Sequence, residues 1–167
     1  MDVFGHSISK RYLQLIDIMQ KRGIDADTAA QVLAEDRNAY VADEDDAHPE
    51  KHPFTDEFIN SLGGNAYAGD YIVDLGLFFL KNDGEVWADK SEDERMAEFR
   101  ERGYKMMLES IKNTCHTARS DFDVWFSERS LYVKDDQGKD AVDRALDALV
   151  GGAGAAAVGM IGHEEIP

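Results

Sequence analysis

Nearly every ordered stretch of this chain repeats its apolar side chains at intervals of three and four, and only Phe122-Asp-Val-Trp-Phe126 alternates them. Intervals of three and four put the apolar groups on one face of a helix, whereas alternation puts them on one face of a strand. The sequence therefore asks for a mainly α fold with one short strand. A strand also needs a neighbour to take up its backbone hydrogen bonds. No second segment of similar quality occurs, so the edge of 122–126 is expected to await another segment or another chain.

The individual helices are legible from their stripes and ends. Phe4, Ile8, Tyr12, Leu15 and Met19 define a first helix behind Asp2 as N-cap, ended by Gly23. A weaker pattern of Ala30, Val32, Leu33 and Tyr40 predicts a second over about 27–41. Residues 43–52 then form a charged loop with a proline. Thr55 is a suitable N-cap, with Phe54 packing on Ile59, for a short helix closed by Gly63 and Gly64.

From Ala66 to Lys81 the residues Tyr67, Tyr71, Ile72, Leu75, Phe78 and Phe79 make a broad core stripe that stops at Asn82-Asp-Gly84. Ser91-Glu-Asp-Glu94 is a capping box. It opens the longest helix, to about Arg119, with Met96, Phe99, Gly103, Met107, Ile111 and Cys115 on one side. Gly103 in the middle of that stripe predicts a close helix crossing. A last amphipathic helix covers 138–149 through Val142, Leu146 and Leu149, and the Gly/Ala-rich residues 150–167 are expected to be a flexible tail.

The 167 residues suit one domain over 1–149 with a modest core. With 34 acidic against 18 basic residues the net charge is −16. Such a surface repels phosphate backbones, because non-specific nucleic-acid affinity comes from cationic side chains that release counterions. The chain alone is not expected to hold tRNA or other nucleic acid. Cys115 is the single cysteine, so no internal disulfide forms; with no export signal visible, the expected setting is cytoplasmic. No membrane association is expected, since the run 141–162 is interrupted by Asp143, Arg144 and Asp147.

No complete catalytic constellation emerges. Asp43, Asp45, Asp46, His48, Glu50 and His52 are metal-competent donors, yet they lack the glycine and terminal glutamate of a calcium loop, and a solvated acidic loop is the simpler reading. Cys115 and His116 are adjacent on a helix and therefore diverge by about 100°. Gly152, Gly154 and Ala157 have a relaxed dinucleotide-fingerprint spacing but follow a helix where that motif requires a strand.

Three pieces together carry a family resemblance. They are Tyr67-Ala-Gly-Asp-Tyr-Ile72, Glu98-Phe-Arg-Glu-Arg-Gly103 with Met106-Met107 and Ile111-Lys112, and Asp121-Phe-Asp-Val-Trp-Phe126 leading to Glu128 and Ser130-Leu-Tyr132. With Met1 to Tyr12 before them, they resemble, in order, the middle of an arginyl-tRNA synthetase catalytic domain. The resemblance runs over about 1–12 and 65–149. It implies a partial α/β, Rossmann-like context in which this region connects two nucleotide-binding halves. For the complete family enzyme it implies arginine and tRNA as substrates, with ATP and Mg as cofactors.

The resemblance also makes Glu128 a candidate substrate-binding residue. Carboxylates pair with the donor fork of a guanidinium, although an ordinary turn or capping acid is the simpler reading of Glu128. Neither His-Ile-Gly-His nor Lys-Met-Ser-Lys, the two ATP-gripping signatures of class I synthetases, occurs in the sequence. The chain is thus expected to be an internal fragment, inactive alone. Residues 23–64 look like an acidic insertion relative to the family. The rival expectations are an acidic protein-interaction module derived from the same scaffold, with self-association through the unpaired strand, and a metal-binding protein using the 43–52 loop.

Overall fold

A computed structural model describes residues 3–43, 48 and 50–160, and for 152–160 the backbone alone. It divides into two compact units, 1–118 and 119–167. The division thus falls at Ala118, where the sequence reading puts its boundary at Leu149.

The first unit holds five helices: α1 (Val3–Arg22), α2 (Ala26–Ala42), α3 (Pro53–Ser61), α4 (Asp70–Asp83) and α5 (Glu92–Thr117). Helix α1 is the spine, packed on α4 and α5 and also touching α2 and α3. Its Ile8, Tyr12 and Leu15 are fully buried, as the spacing predicts, with Ile16 and Ile18 beside them. The proposed cap Asp2 lies outside the described residues. Opposite α1 stand Ile72, Val73, Leu75, Phe79 and Leu80 of α4 and Phe99 of α5.

Glycines set how closely these helices approach. A Cβ on Gly76 would lie 3.0 Å from the backbone nitrogen of Tyr12, and one on Gly103 would lie 2.8 Å from Ile8 Cδ1. The close crossing expected at Gly103 is therefore present, between α1 and α5, and a second one at Gly76 joins α1 to α4.

Helix ends follow the local chemistry with two shifts. The Ser91–Glu94 capping box forms in full, and Asp25 caps α2 by accepting from the Thr28 N–H at 2.8 Å. Thr55 is not an N-cap, because Pro53 opens α3 two residues earlier. Its N–H donates instead to the Asp36 carboxylate at 2.7 Å, so α2 supplies the cap from outside. Helix α4 begins at Asp70 rather than Ala66, which leaves Tyr67 outside it and 48% exposed. Gly69 is a poor helix former and Asp70 suits a first turn, which accounts for the later start.

Helix α5 is buried only in its first half, at Arg95, Phe99 and Gly103. Met107 and Cys115 are half-buried and Ile111 is 48% exposed, so the lower part of the stripe has no covering helix within this unit.

The second unit contains a 3-10 helix (Glu128–Tyr132) and α6 (Ala141–Met160). Helix α6 runs past Leu149 through a segment whose composition disfavours order. The expected strand at 122–126 is absent: these residues are irregular, and the described residues contain no strand or sheet. The expectation of one short strand, with its partial α/β, Rossmann-like context, is thereby overturned: helices are the regular structure of the described residues. The edge proposed for self-association goes with it.

The side chains give the reason. Residues i and i+3 of a strand point to opposite faces. Phe122 and Trp125 instead meet edge to face with centroids 5.5 Å apart, which requires the chain to bend between them. Alternation with aromatic content was present in the sequence, but nothing among the described residues completes a ladder.

Candidate functional site

The residues that carry chemistry or resemblance fall into two sets, one in each unit. In the first unit they are bound up in packing and ion pairs. Asp70, the first residue of α4, takes a bidentate contact from Arg37 of α2, with Arg37 Nη2 2.8 Å from Asp70 Oδ2. That bond holds the Asp70 carboxyl below its usual range and raises Arg37. Ile72, two residues on, is fully buried.

Phe99 and Gly103, from the second resembling piece, are core residues. Arg102 between them reaches Asp83 at the end of α4 through both of its terminal nitrogens, and its guanidinium lies 4.6 Å over the Phe79 ring. Asp83 also accepts from Trp87 Nε1 at 2.8 Å.

Two further polar groups close the same corner; the spacing had put Tyr12 in the core, but it gave no sign of the partner of its hydroxyl or of Arg95. Tyr12 donates its hydroxyl to the Gly84 carbonyl at 2.7 Å, satisfying the C-terminus of α4, while burial raises the phenol's pKa. Arg95 is buried with all its bonds internal: Nε donates to Ser9 Oγ at 2.7 Å, and Nη1 donates to the carbonyls of Trp87 and Lys90. A charged residue facing the core in the first turn of α5 would have been the signal.

The Asp83 pair has a pH signature. The Arg102 hydrogen bonds pull the Asp83 carboxyl below the ordinary carboxylate range, against a smaller opposing effect of burial. Its contribution is therefore complete above the unfolded carboxylate pKa, near 4, and is lost as pH falls through the lower folded value. Asp83→Asn is expected to cost about 1–2 kcal/mol at pH 7, with wild type and variant converging in urea melts as the pH falls below the ordinary carboxylate range.

The second unit presents the other set. Glu128 opens the 3-10 helix and is exposed, and Ser130 donates both its N–H and its hydroxyl to the Ser127 carbonyl, fixing that turn. Phe122, Phe126 and Tyr132 are 59%, 69% and 59% exposed. Asp135 organises the approach to α6 by accepting from the backbones of Gln137 and Lys139 and from Arg144 Nη1 at 2.6 Å. Asp140 and Asp143 cap one another's backbone. The structure thus brings an exposed acid together with exposed aromatics along 122–132.

The weighed alternatives land elsewhere. Asp45 and Asp46 lie outside the described residues. Asp43 stands 3.3 Å from Lys51 Nζ and 3.6 Å from His52 Nε2, and the described residues contain no group of three or more His, Cys, Asp and Glu suited to a metal. Gly152, Gly154 and Ala157 lie within α6, where no phosphate-cradling turn exists. Among the described residues no helix is long and apolar enough to cross a membrane.

Neither of the two synthetase ATP signatures occurs in the sequence, and no step through ATP or Mg follows from the described residues. No family model and no solved structure matches the chain. Curated relatives do. The arginine–tRNA ligase of Oceanobacillus iheyensis is 44% identical over 73 residues, 44% of this chain and 13% of that protein. That of Geobacillus thermodenitrificans is 41% identical over 88 residues, 53% and 15% of the respective lengths, and that of Bacillus subtilis 39% identical over 85, or 51% and 14%. The matched part is thus about one-seventh of each relative, and over about half of its own length this chain is similar to part of an arginine–tRNA ligase.

Proposed function

We propose that this chain serves in attaching arginine to tRNA as part of an arginine–tRNA ligase, in the cytoplasm, and is inactive as a separate 167-residue polypeptide. The sustained identity to several such ligases carries this reading. The first unit is its scaffold, and Glu128 is the carboxylate offered to the substrate guanidinium once the ATP-gripping parts are supplied. ATP, Mg and tRNA are then engaged by those parts, in keeping with an acidic chain that repels phosphate.

The test is arginine-dependent exchange of pyrophosphate into ATP. The 167 residues alone are expected to give none above a heat-denatured control, and exchange above that control would end the claim of inactivity. Grafting the matched region into the Bacillus subtilis ligase is expected to preserve exchange. Glu128→Gln in that graft should raise the KM for arginine by about tenfold or more, the loss of one charge-assisted pair. A folded graft without exchange, or one indifferent to Glu128→Gln, would sink the corresponding part of the reading.

A second reading is favoured by the exposed Phe122, Phe126 and Leu149, the last 70% exposed: an acidic interaction module built on the same scaffold. A graft that folds but cannot exchange would support it.

A further inference from the structure

The acidic residues 23–64 contribute two helices whose attachment differs in kind from that of the rest of their unit. Helices α1, α4 and α5 share the large buried side chains and cross at Gly76 and Gly103. Helix α2 buries only Ala29, Ala30 and Leu33, and α3 only Thr55 and Phe58. Ile24, Ala26 and Phe54 reach the core only in part, and polar bonds supplement them: Arg37 to Asp70, Asp27 to Lys81 at 2.5 Å, and the Phe54 carbonyl to Gln14 at 3.2 Å.

Closing this pair on the other helices also meets opposition. Residues 23–64 carry eleven carboxylates against Arg37 and Lys51. Beneath it lies Arg11 of α1, 1% exposed, with its guanidinium 3.8 Å over the Phe58 ring. Only Nη1 has a partner, Gln14 Oε1 at 2.8 Å, while Nε and Nη2 are buried without one. Asp36 and Asp70 stand near enough to act on Arg11 electrostatically, but Asp36 is bonded to Thr55 N–H and Asp70 to Arg37. Burying a guanidinium with unmade bonds is costly, and exposing it to water removes that cost.

At both ends of the segment the chain turns on glycine. Gly23 on one side and Gly63 and Gly64 on the other have φ of +66°, +62° and +78°, and no atom lies within 4 Å of where a Cβ would sit on any of them. They are free of packing and hold a conformation most residues avoid.

We infer that α2 and α3 are a hinged cover, which swings as one body about Gly23 and Gly63–Gly64 and uncovers Arg11 with the adjoining face of α1 and α4, while α1, α4 and α5 stay packed. The bond from Arg37 to Asp70 is its latch. That latch ties the acidic segment to the Gly-Asp-Tyr-Ile piece at the start of α4, which gives the segment a means of altering the scaffold.

Hydrogen exchange of the full chain, read peptide by peptide, tests this. Amides of α2 and α3 are expected to exchange together, at least about 100-fold faster than those around Phe99, because local opening needs less free energy than global unfolding. Arg37→Gln should quicken α2 and α3 a further three- to tenfold or so and leave the amides around Phe99 unchanged, and Lys81→Gln should act in the same direction more weakly. A single protection level across all five helices, or variants that quicken every helix equally, would overturn the cover.

Discussion

Phe99→Ala is expected to lower the unfolding free energy by about 3–5 kcal/mol, seen as a fall in the urea midpoint with little change in slope. Phe99 is fully buried and stacked on Phe79, centroids 4.1 Å apart and planes 17° apart. Tyr12 and Trp87 meet it edge to face at 5.1 and 5.7 Å. Truncation removes the transfer energy of the ring, three aromatic pairings and the support of four elements at once, because α1, α4, α5 and the turn carrying Trp87 all converge there. The surroundings cannot collapse into the gap easily. Two of the neighbours are held by hydrogen bonds of their own, Tyr12 to Gly84 and Trp87 to Asp83. Ile111→Ala on the same helix should change stability by less than about 0.5 kcal/mol, since that side chain is already 48% exposed. A loss under about 1 kcal/mol at Phe99 would show that the shared core lies elsewhere.

The stripe containing Phe99 was legible in the sequence, and why is physical. Helix formation is local: capping, spacing and terminal glycine all act within a turn or two, so Ser91–Glu94, Gly23 and Gly84 announce themselves. A strand is not local. Phe122 to Phe126 has the right residues, but whether it pairs depends on a partner far away, and without one the rings of Phe122 and Trp125 turn toward each other. The same limit hid the Asp36 carboxylate that caps α3 from another helix by accepting from the Thr55 N–H.

The site was legible to a lesser degree. The resembling pieces stand out in the sequence, but spacing does not separate the ones that build from the ones that bind. Ile72, Phe99 and Gly103 are buried and Asp70 and Arg102 are held in ion pairs, so packing alone accounts for them in this chain. Glu128 and the aromatics near it are exposed, so packing does not explain them. They are the residues whose substitution tests function rather than folding.

Gly76→Val should destabilise the chain by about 1–3 kcal/mol, whereas Gly103→Ala should leave stability within about 0.5 kcal/mol of the original. Both glycines sit mid-helix at crossings with α1, so composition gives no reason to separate them. The difference lies in what a side chain would strike. At Gly76 the first atoms met are backbone, Tyr12 N at 3.0 Å and Arg11 C at 3.3 Å, and a backbone gives way only if the whole of α1 shifts. A branched side chain there would push α1 from α4, and with it Tyr12 from the Gly84 carbonyl it caps. At Gly103 the first atom met is the Cδ1 end of Ile8 at 2.8 Å, followed by the rim of the Phe4 ring at 3.3 Å, and both can rotate aside. That adjustment is offset by up to about 1 kcal/mol gained from replacing glycine within a helix. Thermal melts of the two variants decide it. A Gly103→Ala variant that melts earlier than Gly76→Val would mean that α1 is pinned against α5 rather than α4, with the Phe99 cluster rather than the Tyr12 cap setting the spacing of the three helices.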